Sequence, residues 1–191
     1  TLWATRLGSF LFMRIHKDGE DKRFRTIKPS ATQFFMTWTL QGLWVSLCSM
    51  CALTAISSDT GVVMNVLFYI GLGLFLYGFI TEVIADKQKT AFRSIPENRD
   101  KFITSGLWAK SRHPNFFGEI VLWSGIAVMS FSSLNGLQYL TLISPLFTYF
   151  LLVYVSGVRM LEDRADKKWG HNEDYIKYKS ETPVLLINYM K

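Results

Sequence analysis

The sequence predicts an all-α fold: a polytopic membrane helical bundle with about four spanning helices and a cytosolic, amphipathic C-terminal helical tail. Three observations carry this. Only 19% of residues are charged, against about 25% in soluble domains, while 49% are hydrophobic and 15% aromatic. All 21 Lys and Arg lie within 6–28, 87–112 and 159–191, and none occurs in 29–86 or 113–158. Four apolar stretches of roughly the 20 residues needed to cross a bilayer lie in 34–157. The net charge of +6 is therefore concentrated in blocks that flank membrane segments. This composition argues against a disordered chain, a secreted disulfide scaffold and a nucleic-acid-binding domain, so no nucleic-acid partner is expected.

Taken in order, residues 1–15 read as the end of a membrane or interfacial helix whose depth is limited by Arg6 and Arg14. Phe34–Ser57 carries no charge and is the first full span. Its Cys48 and Cys51 form a C-x-x-C, but with no second cysteine pair they read as small buried hydrophobes rather than a redox or metal centre. Val62–Ala85 carries one charge, Glu82, near its end. Asn115–Phe131 carries Glu119 one turn inside, and Leu137–Gly157 is interrupted only by Pro145. The connectors Ser57–Gly61 and Ser132–Gly136 are short and free of Lys and Arg. Segments 16–30, 86–113 and 158–191 hold nearly all the positive charge. Four spans place these three on one face, which the positive-inside rule makes cytosolic. No repeat is visible, so 1–191 reads as a single membrane domain. It begins on Thr1, Leu2 and Trp3 without a signal-peptide plan, and is expected to be a fragment preceded by further membrane segments.

The richest chemistry lies at 111–119, SRHPNFFGE. Pro114 suits the first turn of a helix, where its missing N–H costs nothing. Arg112 and His113 then stand at the helix's positive end, where anions are favoured. Asn115 and Glu119, four apart, share a face, and Glu119 enters the apolar run. An ionisable residue there is expensive unless it faces a partner or a cavity. It reads as functional, with a structural polar clamp as the alternative. Upstream, Lys89 and Arg93 continue the cytosolic end of the second span. Alone they are interfacial anchors, but they converge on the face that holds Arg112 and His113. The tail sets Glu162, Asp163 and Asp166 at helical spacing, with Trp169, Tyr175 and Tyr178 nearby. A helix lying on anionic lipid is one account, but the acidic residues oppose it. A polar site against the bundle mouth fits better. Such a site could hold a nucleotide with several phosphates while the apolar helices hold a lipid.

Asp86–Arg93 (DKQKTAFR), Gly106-Leu107-Trp108, SRHPNFFGE and the tail MLEDRADKKWG…DYIKY…TPVLL occur in an order that resembles the C-terminal part of the steroid 5α-reductase superfamily. The resemblance is strongest to a domain-of-unknown-function branch of integral membrane proteins. Isoprenylcysteine carboxyl methyltransferases share a related RHP motif and tail. The resemblance implies a fold that binds NADPH at its cytosolic mouth, with Lys89, Arg93, Trp108, Arg112, His113, Asn115, Glu119, Glu162, Tyr175 and Tyr178 as cofactor-pocket residues. It implies hydride transfer to a carbon–carbon double bond of a lipid or steroid reached from the bilayer, with Glu119, Tyr175 and Tyr178 as candidate proton donors and no metal. Three departures stand out: Phe116 replaces a frequent Tyr, the tail ends TPVLLIN, and the helices that supply substrate-side acids in steroid reductases are expected to be among the segments preceding this fragment. An S-adenosylmethionine-dependent lipid or isoprenylcysteine methyltransferase, and a non-enzymatic membrane protein that kept the fold, are the rivals. The expected location is the endoplasmic reticulum in a eukaryote and the inner membrane in a bacterium.

Overall fold

The structure, a computed structural model, describes residues 1–20 and 24–189; residues 21–23 of the first basic segment and 190–191 of the last lie outside the described residues. The described residues form helices and turns without a β-strand, and the chain divides into two compact units, Thr1–Leu47 and Cys48–Lys191. The first unit holds α1 (Leu2–Asp18), α2 (Phe24–Ile27) and the larger part of α3 (Ala31–Ser57). On α1, the guanidinium groups of Arg6 and Arg14 lie 5.3 and 6.0 Å from the Phe10 ring centre, one turn to either side of it. The two arginines that limit the depth of this helix thus cover one aromatic ring. Trp38 gathers Phe34 and Phe24 at 6.0 and 6.3 Å between ring centres.

In the second unit, Asn65 caps α4 (Val66–Ser94) by accepting from the Phe68 N–H at 3.2 Å. The helix runs nine residues past Ala85, where the apolar run ends, and so carries Lys89 and Arg93 on a rigid element. α5 (Pro114–Ser130) starts on its proline, as the sequence predicts. The two helices pack along a glycine seam. A β-carbon added at Gly118 would stand 2.6 Å from the Gly78 carbonyl oxygen, and one at Gly125 would stand 2.6 Å from that of Gly71. Backbone meets backbone at both points, and no side chain fits between. In lipid, burying apolar surface gives helices little reason to associate, so close backbone packing of this kind does that work.

The fourth apolar run is not one α-helix. Gly136–Ile143 is a 3₁₀-helix, α6 (Ser144–Phe150) follows with Pro145 in its first turn, and Leu151–Val155 widens into a π-turn. The Ser156 N–H reaches back five residues to the Leu151 carbonyl at 3.0 Å. The charged tail then forms α7 (Val158–Trp169) and α8 (Glu173–Glu181). α6 faces the end of α3: the Ser144 hydroxyl donates to the Cys48 carbonyl, and Thr148 Oγ1 lies 3.3 Å from Cys48 Sγ. Cys48 and Cys51 are free thiols, half-buried and buried, placed as the small core residues the sequence predicts.

Four helical runs, Ala31–Ser57, Val66–Ser94, Pro114–Ser133 and Gly136–Trp169, are long and apolar enough to cross a membrane. The chain is an integral membrane protein. The charge-poor loops meet at one end, where Ser133 Oγ accepts from Val63 N at 2.9 Å and Asn65 Nδ2 donates to Ser132 Oγ at 2.8 Å. The far end of α4, the 95–113 connector, α7 and α8 meet at the other. There the sequence places its cytosolic face.

Candidate cofactor pocket

Local folding at that end begins with Gln88 on α4. Its Oε1 accepts the Leu107 N–H at 2.9 Å, holding the 3₁₀ turn Gly106–Ala109 against the helix. Gly106 has a φ of 62°, which calls for glycine, and a β-carbon there would stand 2.5 Å from the Gln88 amide nitrogen and press on the side chain that holds the turn. Trp108 is thereby driven into the core, 3% exposed, with its indole N–H donating to the Ala85 carbonyl at 3.0 Å. The Lys89 ammonium lies 4.5 Å from the centre of that indole.

The next residues are fixed from the C-terminus. The Arg112 and His113 N–H groups donate to the Pro183 and Val184 carbonyls at 2.9 and 3.1 Å, and Asn188 N–H donates to the Lys110 carbonyl at 3.0 Å. From α7, Glu162 reaches in between: Oε1 is 2.7 Å from His113 Nε2, and Oε2 is 2.8 Å from Arg112 Nη1. Lys179 stands farther off, 3.9 Å from Glu162 and 2.6 Å from Asp166. The Arg112 side chain is only 10% exposed, yet its Nε and Nη1 have no hydrogen-bond partner. The Glu162 oxygen neutralises Nη1 by proximity but does not lie along its N–H bonds. A buried guanidinium N–H without an acceptor, as at Nε, is costly unless something else accepts from it.

Aromatic rings close the other side. Phe102 sits 5.3, 5.7 and 5.8 Å from the ring centres of Tyr175, Tyr178 and Trp169. Tyr175 donates to Asp166 at 2.9 Å and Tyr178 to the Trp108 carbonyl at 2.6 Å. Burial, then the bond to Asp166, pushes the Tyr175 phenol well above its ordinary value, and burial does the same for Tyr178. Both keep their protons at neutral pH. Between these walls lies a cavity of about 130 Å³, with Lys89, Arg93, Lys101 and Arg112 around it. It is smaller than the roughly 300–1,000 Å³ of a whole ligand site, so it suits one ring or one phosphate-bearing end of a longer molecule.

Lys89, Arg93, Trp108, Arg112, His113, Glu162, Tyr175 and Tyr178 all line this cavity. Asn115 and Glu119 are not among its lining residues. Both are half-buried on α5, and at 100° per residue they fall on the flank of the face that Gly118 turns toward α4. Asn115 Oδ1 is buried there without a hydrogen-bond partner. Lys101, Phe102 and Ile103 form part of the wall but belong to no motif; the apolar pair Phe102-Ile103 after Arg99-Asp100-Lys101 is the available signal.

A family model described as "Protein of unknown function (DUF1295)" matches residues 1–182. Among curated proteins, the "Probable O-methyltransferase ustE" of Ustilaginoidea virens is 30% identical over 116 residues. That match covers 53% of this chain and 41% of the relative, so the chain spans well under two thirds of the relative's length. No solved structure matches.

Proposed function

The chain belongs to the DUF1295 family, within the steroid 5α-reductase-like group, and from that premise and the chemistry of the pocket we propose that it is a membrane oxidoreductase. In this reading it holds NADPH at the cytosolic mouth and reduces a carbon–carbon double bond of a lipid or steroid drawn from the bilayer. The observation that carries the reading is Arg112: a buried guanidinium whose Nε has no hydrogen-bond partner and whose Nη1 has only the Glu162 ion pair, in a wall shared with Lys89, Arg93 and Lys101. Four cations around a cleft of this size suit the phosphate-bearing end of such a cofactor. NADPH would supply a hydride, which with one proton saturates the double bond.

Each remaining role falls to a residue of this chain. Arg112 and the three lysine and arginine neighbours bind and orient phosphate oxygens, while Phe102 and Trp108 offer flat apolar walls for a ring. Glu162 keeps His113 and Arg112 in place. Tyr175 and Tyr178 already donate their protons to Asp166 and to the Trp108 carbonyl, so in this arrangement they shape the wall. Glu119, outside the cavity and deeper along α5, is left as the candidate nearest the apolar side.

A second reading, S-adenosylmethionine-dependent methyl transfer, is favoured by the name of the fungal relative. S-adenosylmethionine carries a single carboxylate and no phosphate, so it would leave most of the cations unused. Titration of the purified protein in detergent with NADPH, 2′,5′-ADP and S-adenosylhomocysteine separates the readings. Binding of the first two alone supports the reductase. Binding of S-adenosylhomocysteine alone overturns it, and binding of none favours a protein that kept the fold without the chemistry.

A further inference from the structure

We propose that Ser111 is a positioning residue, which sets the anion affinity of Arg112 by locking the 110–113 segment to the C-terminal strap 183–188. The inference deepens the NADPH reading and rests on it. Ser111 is fully buried. Its hydroxyl donates to the Leu185 carbonyl at 2.8 Å, and its oxygen accepts from the His113 N–H at 3.3 Å. The Arg112, His113 and Asn188 amides complete a ladder to Pro183, Val184 and Lys110. Among the described residues, the Ser111 hydroxyl joins both sides of this ladder, and it adjoins Arg112, whose buried Nε has no hydrogen-bond partner.

The consequence is pre-organisation. An arginine held only by its own flexible stem loses rotamer freedom when it grips an anion, which weakens binding. Here the backbone on both sides of Arg112 is already pinned, and Glu162 holds the guanidinium from the other wall. Without the Ser111 hydroxyl, the Leu185 carbonyl loses a donor and the His113 amide a second acceptor. The segment then moves more freely, and Arg112 must be ordered by the ligand itself.

The test uses the full chain in detergent, with NADPH and inorganic pyrophosphate as probes. Ser111→Ala should weaken both by up to about tenfold, the size expected for ordering one long side chain. Amide hydrogen exchange at 110–113 should quicken. On an Arg112→Ala background the same substitution should change neither affinity further, because Ser111 acts through Arg112. A merely structural serine would weaken binding on both backgrounds, and that result overturns the proposal, as does an affinity within twofold of wild type. If Ser111→Ala does not fold, Asn188→Pro, which removes the donor to Lys110, is read against the same expectations. Wild-type protein that binds pyrophosphate but not NADPH refutes the reductase reading, and Ser111 is then judged on pyrophosphate alone. Binding of neither overturns both.

Discussion

Replacing Arg112 by alanine removes a side chain that is nine-tenths buried, with Nε lacking a hydrogen-bond partner and Nη1 held by the ion pair to Glu162. A charge-assisted hydrogen bond to phosphate contributes about 1.5–3 kcal/mol. One such bond is worth roughly 10- to 150-fold in affinity. In the wild type, the Glu162 carboxylate 2.8 Å away competes for the same guanidinium, which draws the net loss toward the lower end. We expect NADPH to bind about 10- to 30-fold more weakly. The fold should suffer less, by about 1 kcal/mol, because Glu162 keeps His113 at 2.7 Å and Lys179 at 3.9 Å. Arg112→Lys retains the charge but not the fork and should recover only part of the affinity. Arg93, exposed at the rim, should lose less on truncation. Lys110, whose ammonium lies 5.4 Å from the Tyr189 ring and outside the cavity, is the control. The assay is NADPH titration at two salt concentrations, with thermal midpoints measured without ligand. Small, equal losses at Arg112, Arg93 and Lys110 would refute the reasoning and reduce all three to membrane anchors.

Three other expectations follow from the same structure. Tags placed after Lys101 and at the C-terminus should report the cytosolic side and a tag within Ser57–Gly61 the opposite side; labelling of Lys101 and the C-terminus on different sides would refute the four-span arrangement. Gly118→Ala should lower the thermal midpoint by the equivalent of about 1–3 kcal/mol or more, because its β-carbon meets the Gly78 carbonyl and the backbone of Glu82, whereas Gly73→Ala, with nothing within 4 Å, should not. Glu119→Leu should weaken NADPH while leaving 2′,5′-ADP within a few-fold, since Glu119 lies outside the cavity where the cations converge; equal weakening of both would make Glu119 a support of the fold rather than a ligand-side group.

The spans were legible because lipid imposes one composition over about 20 residues and excludes Lys and Arg from it. The pocket was legible where charge or a stiff motif marked it: Lys89 and Arg93 one turn apart, Arg112-His113-Pro114 at a helix start, Tyr175 and Tyr178 in a charged tail. Depth along a helix was harder to read. Asn115 and Glu119 follow Pro114 closely, yet the 100° step turns them toward the α4 flank. The seven-residue glycine spacing was visible in 71 and 78 and again in 118 and 125, but which glycines face each other depends on how α4 and α5 align. Hydropathy does not distinguish 3₁₀, α and π turns, so the mixed run Gly136–Val155 left no trace in the pattern. The strap 183–188 read as a departure from the family. Its contribution is made through backbone amides and carbonyls, which carry no residue signature.

The glycine seam also bears on how the protein is made. Closing α4 against α5 requires nothing beyond Ser130, so the hairpin can assemble while later segments are still on the ribosome. At that stage Lys89 and Arg93 are held on a completed pair of helices, whereas the 110–113 segment with Arg112 still lacks the 183–188 backbone that fixes it. The acidic and aromatic groups opposite them, on α7 and α8, are made only after the hairpin. A chain halted before Val158 would therefore present Arg112 at the membrane surface without Glu162, its ion-pair partner, a feature by which an unfinished copy differs from a finished one.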